Sequence, residues 1–156
     1  GNADPTVHAG QDQTICQPRE YLILDGEVDD DGKGDPDGYL QKGLALRDAW
    51  IDDPLAHFCL APHAPYTVGD RTLEKIATYA AQLDVPIHMH IHETLHEIEQ
   101  SIERYGVRPL ARLKALGLLT PGMIAIHAVH LTTEEIGWLA SHGCHVAHCP
   151  KCRRGH

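Results

Sequence analysis

The sequence predicts an α/β protein built on a parallel sheet. Two observations point there. From residue 38 onward, short apolar runs alternate with segments whose apolar residues recur at helical spacing. The short runs are apolar on both faces, as strands covered on two sides must be.

The elements follow in order. Tyr39 to Ile51 sets Leu40, Leu44, Leu46 and Trp50 at helical spacing. His57–Ala61 reads as a short buried strand. Asp70 is placed to cap a helix over Arg71–Leu83, with Leu73, Ile76, Ala77 and Ala80 on one face. Val85–Ile91 is the next strand. Glu93–Tyr105 is a polar helix stopped by Gly106. Pro109–Leu116 is a helix with proline in its first turn, stopped by Gly117. Met123–Val129 is a strand of small and apolar residues. Thr132 and Glu135 form a capping-box pair for a helix running to Ser141. Cys144–Cys149 is the last strand. The order is one helix, then four strand–helix units, the last without its helix.

Residues 1–37 are of another kind. They are rich in Asp, Gly and Pro and read as an acidic, irregular N-terminal segment, with one short apolar run at Tyr21–Leu24. Asp29, Asp31, Lys33 and Asp35 invite comparison with a calcium loop. The glycine is misplaced and no glutamate stands at the twelfth position, which excludes it. Residues 38–156 form the regular segment.

Composition narrows the function. Hydrophobic residues at 42% and charged residues at 22% exclude wholesale disorder. A net charge of −9 argues against a nucleic-acid partner. No run of 18 apolar residues exists, so no membrane span is expected. Gly1–Gly10 has neither a basic nor an apolar signal region. The five cysteines form no disulfide framework, and a cytoplasmic chain with reduced thiols is expected. Cys149 and Cys152, with Cys144 and His148, suggest a small zinc module, but no matching second pair exists.

Histidine is the informative residue. Of 13, all but His8 lie at or beyond His57. His63 follows the first strand. His88, His90 and His92 alternate along the second, which would point all three to one side. His127 ends the third, with His130 just after it, and His148 ends the fourth. In parallel α/β folds the carboxyl ends of the strands carry the site. His63, His90 and His127 are the candidates for chemistry. Glu93, three residues after His90, is placed to move a proton. His92 and His130 read as residues that orient their neighbours, and His88 and His145 as buried structural residues. His57, His96, His142 and His156 read as solvent-facing. This set suits metal-assisted hydrolysis. Imidazoles hold a divalent cation that acidifies water, and a carboxylate shuttles the proton.

Ala61-Pro-His-Ala-Pro-Tyr66, His90-Ile-His-Glu-Thr94, Ala125-Ile-His-Ala-Val-His-Leu131 and His148-Cys-Pro150, in that order, resemble the amidohydrolase superfamily. Within it the likeness is to 5-methylthioadenosine/S-adenosylhomocysteine deaminases and their chlorohydrolase-like and guanine-deaminase-like kin. It runs from about Tyr39 to Lys151. The resemblance implies a (β/α)8 TIM barrel of the metal-dependent hydrolase type, of which about four strand–helix units are present. It implies His90 as a metal ligand and Glu93 as the proton shuttle. His127 would lie beside the metal, grouped with its ligands, and polarise the substrate. His63 would contact substrate, and His148 would line the pocket. It implies one divalent metal, zinc or else iron, and a purine nucleoside substrate.

The family's first His-x-His motif and its last metal-binding Asp are not found here. Cys152-Arg-Arg-Gly-His156 stands where the family continues Ser-Asn-Leu-Lys-Leu. Two alternatives therefore stand beside the deaminase: a catalytically incomplete amidohydrolase fragment, and a chlorohydrolase or guanine deaminase. Unpaired parallel edges would favour association into a homo-oligomer.

Overall fold

The structure, a computed structural model, describes residues 36–149. The acidic run at 28–35, the Tyr21–Leu24 strand, His8, Cys152 and His156 lie outside the described residues. The elements are α1 (Pro36–Trp50), α2 (Asp70–Leu83), β1 (Ile87–Ile91), α3 (Leu95–Tyr105), α4 (Pro109–Ala115), β2 (Met123–His127), α5 (Thr133–Ser141) and β3 (His145–Ala147).

The three strands form one parallel sheet in the order β1-β2-β3. Ile87 pairs with Met123 and Ile91 with His127, while Ile124 pairs with His145. The expected strand at His57–Ala61 is reduced to isolated bridges, one at His57 and a parallel one of Leu60 with Ile87. The Leu60 amide and carbonyl bond Pro86 and His88. Pro62 follows directly and has no N–H to continue a ladder.

Ile87, Met89 and Ile91 alternate into the core with Met123 and Ala125. They meet Val68 and the helical residues Leu73, Ile76, Leu110, Leu113 and Leu139. Each such side chain contributes roughly 1.5–3 kcal/mol by leaving water. His88, His90, Ile124 and Ile126 take the alternate positions and are half-buried. β3 is exposed along its length. His145 on it is therefore exposed, not the buried residue expected, because an edge strand lacks a neighbour to cover it.

Helix ends show what local chemistry decides. Thr132 and Glu135 form both arms of the capping box. α3 begins two residues later than expected, because Thr94 is its cap and accepts from the Glu97 amide at 3.2 Å. Gly106 ends it with φ 74°, a left-handed turn that glycine adopts at no steric cost. Asp70 does not cap α2. Gly69 holds that position, and the Asp70 carboxylate instead accepts from Arg112 at 2.7 Å. A buried guanidinium outbids an exposed helix end.

Candidate active site

Parallel register puts the carboxyl ends of β1 and β2 side by side. Both strands end in backbone that L residues rarely adopt. His92 has φ 54°, His127 φ 69° and Ala128 φ 49°. Such conformations persist where their surroundings over-determine them. Here the surroundings are cross-ties. The amide of Ala128 bonds the Ile91 carbonyl, and those of Val129 and His130 bond the His92 carbonyl.

The turn at His92 overrides the expected alternation. His88 and His90 share one face, but His92 does not join them. Its ring is fully buried on the helix side, where Nε2 accepts from the Leu110 amide at 3.1 Å. Nδ1 faces the Glu135 carboxylate at 3.6 Å. Burial, and Arg108 nearby, depress the His92 pKa to about 4 against the pull of Glu135. The ring is thus neutral in the fold and titrates near 6.5 when unfolded. A depressed pKa means the unfolded chain binds the extra proton between pH 6.5 and 4, so stability falls on acidification through that window. From this ring alone the protein is expected to be about 2 kcal/mol less stable at pH 5 than at pH 7. Urea unfolding at both pH values, with His92→Gln as reference, checks it. An equal pH dependence in the two proteins would contradict it.

Three histidines from three segments converge. His63 lies edge-on to His90 with ring centroids 5.1 Å apart, and His90 stacks on His127 at 5.3 Å. His90 Nδ1 sits 2.8 Å from the His63 carbonyl oxygen. A carbonyl only accepts, so Nδ1 carries the proton and Nε2 keeps its lone pair. Glu93 reaches His127, with Oε2 3.5 Å from Nε2. Nδ1 of His63 and Nδ1 of His127 are buried without a hydrogen-bond partner among the described residues. Burial lowers the His127 pKa; Glu93 opposes this, and His90 and His148 reinforce it. His148 is itself exposed, and His130 is half-buried with its carbonyl held by Arg108 at 2.6 Å. His142, expected to face solvent, bonds the Trp138 carbonyl at 2.8 Å.

Three residues that hold this site, Glu97, Arg108 and Arg112, carry no role in the sequence motifs named above, and Glu135 figures there only as half of a capping box. Glu97 is buried and accepts from the amides of His92 and Glu93. Burial raises its pKa against these amides. Arg108 forks onto Glu135 at 2.8 and 3.0 Å. Burial pushes the Glu135 carboxyl up, but Arg108, the Thr132 amide and His92 outweigh it and hold its pKa low. Arg112, 4% exposed, donates to the carbonyls of Pro65 and Val68 and stacks 3.8 Å from the Tyr105 ring. It braces the loop that follows His63. Thr94-Leu-His-Glu97 was the one legible signal, a capping-box pattern.

An apolar cleft between α1 and residues 58–62 is lined by Leu40, Leu44, Phe58, Val68 and Ile76. None of the clustered histidines lines it.

Neutral imidazole with a free Nε2, as in His90, is a fitting zinc ligand. Among the described residues no group of three or more His, Cys, Asp or Glu converges on a common point. The donor chemistry of His90 fits a divalent metal. Cys144 and Cys149 are free thiols; the remaining member of the small zinc module, Cys152, is outside the described residues.

The Amidohydrolase family model matches residues 21–154. The chain belongs to the Amidohydrolase family. The match to this family reaches beyond Tyr39–Lys151 at both ends, where no chemistry-bearing motif marks it. An amidohydrolase relative from Teredinibacter turnerae, named 5-methylthioadenosine/S-adenosylhomocysteine deaminase, is 51% identical over 116 residues, covering 74% of this chain and 26% of its own. A relative of the same name from Moorella thermoacetica is 38% identical over 151 residues, covering 96% and 33%. Among solved structures, an adenosine deaminase from Xanthomonas campestris with bound zinc superposes with TM-score 0.71 at 48% identity, covering 73% of this chain and 26% of that one. Zinc-complexed atrazine chlorohydrolase from Arthrobacter aurescens superposes with TM-score 0.69 at 28% identity, covering 73% and 26%. The chain spans about a quarter to a third of the length of these relatives. Its three-stranded parallel sheet with flanking helices is a partial α/β fold of the amidohydrolase barrel type. Among the described residues no helix is long and apolar enough to cross a membrane.

Proposed function

We propose that these residues belong to a metal-dependent deaminase that hydrolyses the exocyclic C–N bond of an adenine-type nucleoside, 5-methylthioadenosine or S-adenosylhomocysteine. The observation that carries the reading is the Glu93–His127 pair at 3.5 Å, set beside a His90 whose Nε2 is free. The 51% identity to a deaminase-named relative supports the substrate class.

His90 and His127 are the residues of this chain that would hold the metal, zinc being the ion bound in its neighbours. A divalent cation bound there would lower the pKa of water toward neutrality. Glu93, 42% exposed, would accept a proton from water and give it to the departing amine. His127 lies beside Glu93 and polarises the ring nitrogen next to the carbon under attack. His63, half-buried with Tyr66 edge-on at 5.8 Å, contacts the nucleoside. His92 and His130 hold the loops through backbone ties, and His148 lines the mouth. Free thiols at Cys59, Cys144 and Cys149 agree with a reducing, cytoplasmic setting.

The test is ammonia release from amino-purine nucleosides by the zinc-loaded, complete protein that contains residues 1–156. Activity on 5-methylthioadenosine or S-adenosylhomocysteine is expected. Chloride release from a chlorinated ring, with no ammonia from any nucleoside, would favour the second reading, which rests on the chlorohydrolase likeness. The isolated 156 residues are expected to be inactive, because among the described residues no group of three metal-ligating side chains converges.

A further inference from the structure

Glu97 is a buried acid for which the deaminase chemistry has no use. It is 4% exposed and lies in the first turn of α3. A carboxylate removed from water needs partners, or it costs several kcal/mol. Its two oxygens divide the task. Oε1 accepts from the His92 amide at 2.9 Å, and Oε2 accepts from the Glu93 amide at 3.0 Å. The Glu97 amide is itself fixed by Thr94 Oγ1 at 3.2 Å. The side chain therefore bridges two consecutive peptides of the segment that leaves β1.

Those peptides flank the residue with φ 54°. A left-handed His costs of order 1–3 kcal/mol and relaxes unless held. The same turn sends the His92 ring to the helix side and leaves the next side chain, Glu93, on the site side within 3.5 Å of His127. Without the turn, strand alternation would direct His92 into the site and Glu93 away from it. We infer that Glu97 is a positioning residue: its forked carboxylate holds the His92 turn and so keeps Glu93 against His127. This deepens the deaminase reading, since it concerns the aim of that reading's proton carrier.

Glutamine at 97 keeps the shape but offers one acceptor and one NH2 group, which meets an amide N–H donor to donor. One of the two backbone bonds is lost. The experiment is NMR on the 156-residue chain, wild type, Glu93→Gln and Glu97→Gln. It reads the ring-nitrogen shifts of His127 and the exchange protection of the Met89 and Ala125 amides in β1 and β2. The expected result is that E97Q moves the His127 ring signals to their E93Q values while Met89 and Ala125 stay protected. A loss of packing alone would not reproduce that signature. If E93Q moves the ring signals and E97Q leaves them at wild-type values, the clamp is overturned and the deaminase reading stands. If E93Q itself leaves them unmoved, the Glu93–His127 pair is absent and both readings fall. Should E97Q lose protection throughout the sheet, the wild type decides. Through-bond couplings from both the His92 and Glu93 amide nitrogens to the Glu97 carboxyl carbon support the clamp, and their absence overturns it.

Discussion

Glu93→Gln in the zinc-loaded, complete protein is expected to lower kcat by about 10²–10⁴-fold, the range by which a positioned acid–base group contributes. KM is expected to stay within a few-fold. The amide has the size of the carboxylate and can still sit beside His127, but it cannot take a proton from water. Glu93 is the exposed member of the cluster, open to water at the carboxyl end of the sheet, whereas His127 is 8% exposed. The loss therefore falls on the proton-transfer step and not on binding. Steady-state kinetics with metal analysis of the same sample checks it. A kcat within tenfold of wild type, with metal retained, would remove Glu93 from the chemistry.

Glu135→Leu is expected to destabilise the fold by about 3–5 kcal/mol, the usual cost of removing one partner of a buried ion pair. The carboxylate is 2% exposed and accepts three hydrogen bonds at once. Arg108 supplies two of them, at 2.8 and 3.0 Å, and the Thr132 amide one, at 2.8 Å. His92 Nδ1 faces it from 3.6 Å. Leucine leaves Arg108 partly buried with only the His130 carbonyl, and it opens the cap of α5. The double variant with Arg108→Met is expected to be less destabilised than the two single costs added together, because no uncompensated charge remains. Denaturant unfolding of the four proteins gives the cycle. A Glu135→Leu cost below 1 kcal/mol, or strict additivity, would show that the network holds little.

Local chemistry explains what could be read beforehand. Helical period marked α1 and α2, glycine stops marked the ends of α3 and α4, and the Thr132–Glu135 pair marked the cap of α5. Each rests on residues within four positions of one another, so each is written in the chain itself. The convergence of His63, His90 and His127 was legible at one remove, since parallel strands must deliver their carboxyl ends together.

The exceptions arose where distant residues compete with a local rule. Asp70 reads as a cap, but Arg112, 42 positions away, takes its carboxylate. His57–Ala61 reads as a strand, but Leu60 bridges β1 only in isolation, and past Pro62, which has no N–H, the next bond slips to the His63 carbonyl. His92 reads as a third member of an alternating row, yet its left-handed backbone turns it beneath α4. Period-two alternation assumes extended φ and ψ, and nothing in the His92 side chain announces the exception. The bonds that hold it come from Glu97, Leu110 and the loop after β2. The sequence by itself determined the elements, the end of the sheet that carries the histidines, and the class of chemistry they suit. Only the tertiary structure decided which histidine faces the site and which is buried as a strut. That choice is made by hydrogen bonds between segments, and their energy depends on burial that no local pattern encodes.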